Sequence, residues 1–140
     1  MANTDVLQVV ALALFHPVRK RYLIVRRNKQ QKSGAGHWEF PGGKIDAGET
    51  QTQALVREIL EELGFTMQEA GLKYVHSNQY QYPHRLVELH LYKYSMAIDQ
   101  FLLVDHDLHA WVNETEIANF ELAPADIPFI KYLFLKDGLI

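Results

Sequence analysis

Between Gly43 and Phe65 the chain reads GKIDAGETQTQALVREILEELGF, and this segment constrains the fold more than any other. Thr50 can cap the amino end of a helix running to about Leu63, and Gly64 stands where a left-handed carboxyl-terminal cap is expected. At about 100° per residue, Glu58, Glu61 and Glu62 fall within an arc of roughly 100°. Val56, Ile59, Leu60 and Leu63 take the other side, with Leu55 at the boundary, and Ala54 lies on the acidic face one turn earlier, where its small side chain would leave room for a ligand. Like charges at this spacing repel and raise one another's pKa, and a divalent cation resolves the conflict. The sequence has no cysteine, so thiolate sites and disulfides are excluded and any metal binds through oxygen or histidine. Hard carboxylate oxygens suit Mg²⁺ or Mn²⁺, and Mg²⁺ commonly combines one or two carboxylates with phosphate oxygens and water. Most acidic helix faces are merely solvated. This one differs because Gly43, Glu49 and Arg57 also stand at set distances from it.

Around the helix the pattern is extended. Val6 to Phe15 reads as a strand stopped at His16-Pro17, and Arg21 to Arg27 as its hairpin partner. Lys29 to Gly36 has the composition of a polar surface loop. Trp38-Glu39-Phe40 resumes an extended run, which Pro41-Gly42-Gly43 should interrupt with a sharp turn. Further strands are expected over Leu72 to Gln79 and Leu86 to Met96, a short one over Ala110 to Val112, and a closing helix after Pro124 whose Ile127, Phe129, Ile130, Leu133 and Phe134 form a core stripe. Strands on both sides of a central helix point to an α/β (α+β) arrangement with a mixed sheet, and 140 residues suit one domain over 1–140. The start of the chain lacks a signal-peptide pattern and no stretch approaches a membrane span, so a reducing cytoplasm is the expected home. A formal charge of −3 argues against a broad grip on nucleic acid.

The segment Gly43–Phe65 resembles the Nudix signature at every specified position: glycine, five residues, Glu49, seven residues, Arg57-Glu58, apolar Ile59, one residue, Glu61-Glu62, one residue, Gly64 and apolar Phe65. The resemblance implies an α/β/α sandwich with a mixed β-sheet, whose catalytic loop-helix-loop binds divalent metal and hydrolyses a nucleoside diphosphate linked to another group. It assigns Glu58, Glu61 and Glu62 to metal and base positions, the Gly42 carbonyl to a further metal ligand, Arg57 to orienting the glutamates and Glu49 to steadying the loop. Which glutamate is the base stays open.

The wider stretch Trp38-Glu39-Phe40-Pro41-Gly42-Gly43-Lys44, after a strand ending Arg26-Arg27, resembles the MutT branch, which converts nucleoside triphosphates to monophosphate and pyrophosphate. That likeness implies that Arg27, Glu39, Phe40, Pro41 and Gly42 line the nucleotide site. Arg85, ahead of a long strand, is a further candidate for phosphate or base. Leu122-Ala123-Pro124-Ala125-Asp126-Ile127-Pro128 resembles the CTP pyrophosphohydrolase and 8-oxo-dGTP diphosphatase group, where a turn at this place reads the base. Ionised, Asp126 accepts from base N–H groups, and protonated it also donates; its alternative role is to cap the last helix. Asp105, six residues before Trp111, matches a position of an additional metal-binding glutamate. The histidines, His37, His84, His106 and His109 among them, show no metal-ligand spacing and read as surface or packing residues. The expected function is therefore a Mg²⁺-dependent triphosphate pyrophosphohydrolase, monomeric or homodimeric, acting on oxidised or pyrimidine nucleotides. RNA 5′-pyrophosphate removal, nucleotide-sugar hydrolysis and a silent nucleotide-sensing module are the competing readings.

Overall fold

The computed structural model describes residues 5–28 and 35–138. Seven strands form one sheet: β1 (Val6–His16), β2 (Arg21–Arg27), β3 (Trp38–Glu39), β4 (Gly42–Lys44), β5 (Lys73–Tyr82), β6 (Arg85–Ser95) and β7 (His106–Val112). The order is β3-β2-β1-β6-β5, with β4 added to β1 and β7 to β2. The β1–β6 ladder is parallel from Val6↔Leu86 to Phe15↔Ser95, and the other pairings are antiparallel, so the sheet is mixed as expected.

Strand alternation sends the apolar residues of β1 and β2 to two faces. On one, Val10, Leu12, Leu14, Leu23 and Val25 pack against α1 (Gln51–Leu63) through Ala54, Leu55, Ile59 and Leu63. On the other, Ala11, Ala13, Tyr22 and Ile24 pack against Phe129 and against Leu133 of α3 (Ile130–Gly138). The result is the expected α/β/α sandwich. The Thr50 capping box and the left-handed Gly64 cap bound α1 as the sequence indicated.

Several local expectations are corrected. The buried stripe of α1 is rotated from the one inferred, because Leu55 is fully buried and Leu60 is 49 % exposed. Ala54 is likewise fully buried in the core, so it opens no space for a ligand. It lets the helix settle close to the sheet and brings Glu58 and Glu62, four and eight residues on, to the rim of the buried interface. Where a sharp turn was expected, Gly42–Lys44 forms β4, with Gly42 paired to Ala11. Glycine has low strand propensity, yet here only a residue without Cβ can approach β1, since an added Cβ would run into the Val10 carbonyl. Strand β7 starts at His106 rather than Ala110, its polar beginning concealed by a bulge opposite Arg26/Arg27. A four-residue helix, α2 (Glu114–Ile117), follows Asn113, which forms a capping box with Glu116. The closing helix begins at Ile130 after a single 3₁₀ turn over Ile127–Phe129. That tighter winding takes Ile127 off the core stripe and leaves it 52 % exposed. The polar loop expected from Lys29 lies outside the described residues as far as residue 34. Among the described residues no helix is long and apolar enough to cross a membrane.

Candidate active site

Arg57 ties the loop before α1 to the helix. Its Nε and Nη2 donate to Glu49 Oε2 and Oε1 at 2.6 and 2.9 Å, Nη2 also to the Lys44 carbonyl at 3.0 Å, and Nη1 to Glu58 Oε2 and Glu61 Oε1, both at 3.1 Å. Such a bidentate guanidinium–carboxylate fork fixes geometry as well as charge. The Glu49 carboxyl is held down to about 2 by that fork and by the Asp46 N–H, which donates to it at 2.8 Å, while Arg57 is raised in turn by its acidic partners. Loop and helix thus form one rigid unit.

The acidic trio is graded by burial. Glu61 is 58 % exposed and turned to Arg57, whereas Glu58 is 15 % exposed. Glu62 presents a buried Oε1 with no hydrogen-bond partner among the described residues. Burial pushes the Glu62 carboxyl up to about 9, helped by the charges of Glu58, Glu39 and Asp105. Burial raises Glu58 as well, against the opposing pull of Arg57. Both carboxyls are therefore pushed toward their neutral forms, Glu62 the more strongly. Gly43 abuts the Glu58 carboxylate so closely that an added Cβ would displace it. Asp105 is exposed, and its charge reaches Glu62 from the segment whose Val104 N–H donates to the Glu62 carbonyl.

These two glycines separate fold from site. Gly42→Ala meets the Val10 backbone, which cannot yield cheaply, and is expected to destabilise by about 3 kcal/mol or more. Gly43→Ala meets only the end of a flexible side chain, so it should cost less than about 1 kcal/mol while moving Glu58 and suppressing turnover. Urea denaturation alongside a hydrolysis assay checks the pair. Equal stability loss in both variants would contradict the assignment.

Across the cleft, β3 places Glu39 beside β2. Glu39 Oε2 accepts from Arg27 Nη1 at 3.2 Å and from His106 Nε2 at 2.9 Å. Phe40, 3 % exposed, lies in the core beneath, and buried Pro41 gives its carbonyl to Leu12 N at 2.8 Å. The Phe40 backbone N–H donates to the carboxyl of Asp126, which is 4 % exposed and whose Oδ1 has no partner among the described residues. Burial, and then the charge of Glu39, raises Asp126 well above the ordinary carboxylate range. Its side chain makes no capping hydrogen bond, so the helix-cap alternative is set aside. The turn before it is pinned from β5: Asn78 donates to the Ala125 carbonyl at 3.0 Å, and the Tyr82 hydroxyl accepts from Ala125 N at 3.3 Å. Arg85 is exposed, paired in register with Tyr82, and makes no hydrogen bond or ion pair among the described residues. Hydrogen bonds and charge coupling thus link Glu58, Glu62, Glu39, Arg27 and Asp126, with Phe40 buried beside Asp126 and with Arg57, Glu49 and Glu61 joined on the helix side, while Arg85 takes no part in these contacts. Sequence reading passed over Asn78 and took His106 for a surface or packing residue, because neither belongs to a motif.

This donor set fits a hard dication. Burial pushes two carboxyls toward their neutral forms, which a cation would reverse, one oxygen is buried without a partner among the described residues, and every candidate ligand is oxygen. Among the described residues no three acidic side chains stand as a ready-made cage. Mg²⁺ needs only one or two when phosphate oxygens and water complete its shell.

The likeness to known proteins spans nearly the whole chain. The NUDIX domain profile matches residues 6–133. A CTP pyrophosphohydrolase of Escherichia coli K12 is 36 % identical over 110 residues, covering 78 % of this chain and 79 % of its own. An 8-oxo-dGTP diphosphatase of Haemophilus influenzae is 31 % identical over 131 residues, covering 94 % and 93 %. The crystal structure of a MutT protein from Methanosarcina mazei Go1 superposes with a TM-score of 0.84 over 99 % of both chains at 20 % identity, a likeness of fold. A matched profile across nearly the whole chain, a complete signature and a shared fold together make this chain a Nudix hydrolase of the MutT-like branch.

Proposed function

We propose that the chain is a Mg²⁺-dependent nucleoside triphosphate pyrophosphohydrolase, converting a triphosphate and water to monophosphate and pyrophosphate, with oxidised or pyrimidine nucleotides such as 8-oxo-dGTP or (d)CTP as substrates. Glu58 and Glu62, with Glu61, Asp105 and the Gly42 carbonyl around them, would hold the metal. Bound there, a divalent ion neutralises phosphate oxygens and acidifies water. The protein's part is largely positioning. Arg57 and Glu49 fix the loop and the Glu58 rotamer, Arg27 faces the cleft as a cation for phosphate, and a signature glutamate takes the proton of the attacking water as the phosphoanhydride bond breaks.

Asp126 carries the substrate reading. A buried carboxyl with a free oxygen is costly unless something pairs with it. Held neutral, it offers one donor and one acceptor, which complement N3 and N4 of cytosine, or O6 and the protonated N7 of 8-oxoguanine. Names of the similar proteins, a CTP pyrophosphohydrolase and an 8-oxo-dGTP diphosphatase, support the same choice. The test is a panel of CTP, dCTP, 8-oxo-dGTP, GTP and ATP, together with triphosphorylated RNA and nucleotide sugars, assayed with Mg²⁺ and product identification. Monophosphate plus pyrophosphate is expected from a cytosine or oxidised-guanine nucleotide, and Asp126→Ala should lower kcat/KM for that substrate by about tenfold or more. Preferential turnover of RNA ends or sugar conjugates would overturn this reading.

A further inference from the structure

We propose that His106 is a positioning residue for nucleotide binding: from β7 it holds the Glu39 carboxylate in the cleft, so that Glu39 meets the bound nucleotide preorganised. The inference rests on the triphosphate reading above.

The backbone is built around this contact. The β2–β7 ladder runs in constant register from Tyr22↔Val112 to Arg26↔Leu108, then skips Asp107 to pair Arg27 with His106. Bulges of this kind re-aim side chains and are frequent beside active sites. Without it, Asp107 would stand opposite Arg27, on the face that Glu39 shares through its pairing with Val25, and carboxylate would meet carboxylate. Instead Asp107 is engaged by Arg26 at 2.8 and 2.7 Å, and His106 occupies the place.

The imidazole side chain is 1 % exposed and approaches Glu39 Oε2 at 2.9 Å, while its Nδ1 is buried without a partner among the described residues. A carboxylate accepts, so Nε2 carries the proton, and the contact with Glu39 is the one polar interaction that the ring makes among the described residues. Burying an imidazole with one nitrogen unpaired is unfavourable, which marks the Nε2 bond as the reason for histidine here. Both His106 and Arg27 take Oε2, and among the described residues no hydrogen bond reaches Glu39 Oε1. That oxygen is left as an acceptor for an N–H or O–H of the nucleotide. Glu39 also lies where its charge acts on Glu62 at the metal side and on Asp126 at the base side. A carboxylate so placed must be held in one rotamer to be useful.

The experiment compares His106→Leu, His106→Gln, His106→Asn and Glu39→Gln by KM and kcat on the best triphosphate of the panel, with melting temperature measured in parallel. His106→Leu should raise KM about tenfold, change kcat by less than about threefold and flatten the preference between bases. Gln, whose amide nitrogen reaches as far as Nε2, should restore most of the loss, whereas Asn, one bond shorter, should not. Adding His106→Leu to Glu39→Gln should cost nothing further, since glutamine has a single acceptor oxygen and cannot serve both His106 and the nucleotide. Additive losses, or a folded His106→Leu with wild-type KM and base preference, would overturn the role. If His106→Leu does not fold, the Gln and Asn variants decide, and equal KM values in the two would overturn it. A wild-type chain that hydrolyses none of the triphosphates would instead bring down the triphosphatase reading, and this role with it.

Discussion

Glu62→Gln is expected to lower Mg²⁺-dependent kcat on the order of 10³-fold while leaving the metal-free fold intact. The two halves of this expectation share one cause. Glu62 is the most strongly perturbed of the signature carboxyls, pushed up to about 9 by burial and by the charges of Glu58, Glu39 and Asp105. In the metal-free chain at neutral pH it therefore carries a proton, and glutamine is an isostere of that protonated form. Thermal unfolding in EDTA should thus place the variant within about 0.5 kcal/mol of wild type. Wild-type protein should gain stability when Mg²⁺ is added, by about 2.7 kcal/mol at 100 times the dissociation constant, because a ligand that binds only the folded state shifts unfolding by mass action. The variant should gain much less, having lost the anionic oxygen that displaces its proton for the cation. Turnover at the wild-type rate in Glu62→Gln, or an equal Mg²⁺-induced shift, would remove the metal site from this position.

Arg57→Lys is the second large effect, because lysine keeps the charge and discards the fork. Arg57 engages Glu49 through two nitrogens and in addition reaches Glu58, Glu61 and the Lys44 carbonyl. A single ammonium cannot reproduce that set. We expect kcat to fall by about 10²-fold as Glu58 and the Lys44–Glu49 loop lose their fixed relation, with a lowered melting temperature. Glu49→Gln should reproduce part of the loss, and the double variant should lose less than the sum, since both act on one contact. Full activity in Arg57→Lys would show that charge alone suffices and that the fork is incidental.

The graded burial of the trio also bears on roles that the sequence left open. Glu61 is exposed and paired with Arg57, while burial raises the Glu58 and Glu62 carboxyls at the rim of the core. Desolvation rather than residue type therefore sets how strongly the Glu58 and Glu62 carboxyls hold a proton. The sequence placed these glutamates on one helical face correctly. It misjudged the face's surroundings by taking Ala54 as open space, when Ala54 is a contact of helix with sheet.

What the sequence determined by itself was whatever depends on short range: the Thr50 and Gly64 caps, the spacing of Glu58, Glu61 and Glu62, the β1–β2 hairpin and the alternation that fills two faces of the sheet. These follow from local backbone chemistry and periodicity. The tertiary structure alone decided which groups distant in sequence share the cleft. Glu39 and His106 stand 67 residues apart and meet through a bulge that no local pattern marks. Asp126 becomes a buried acid because β5 pins the turn before it and Phe40 lies against it. Gly42 could be seen to form a strand only once Val10 was known to lie against it. Burial and electrostatic coupling are properties of three-dimensional neighbours, and they set the chemistry of residues whose positions the sequence had already supplied.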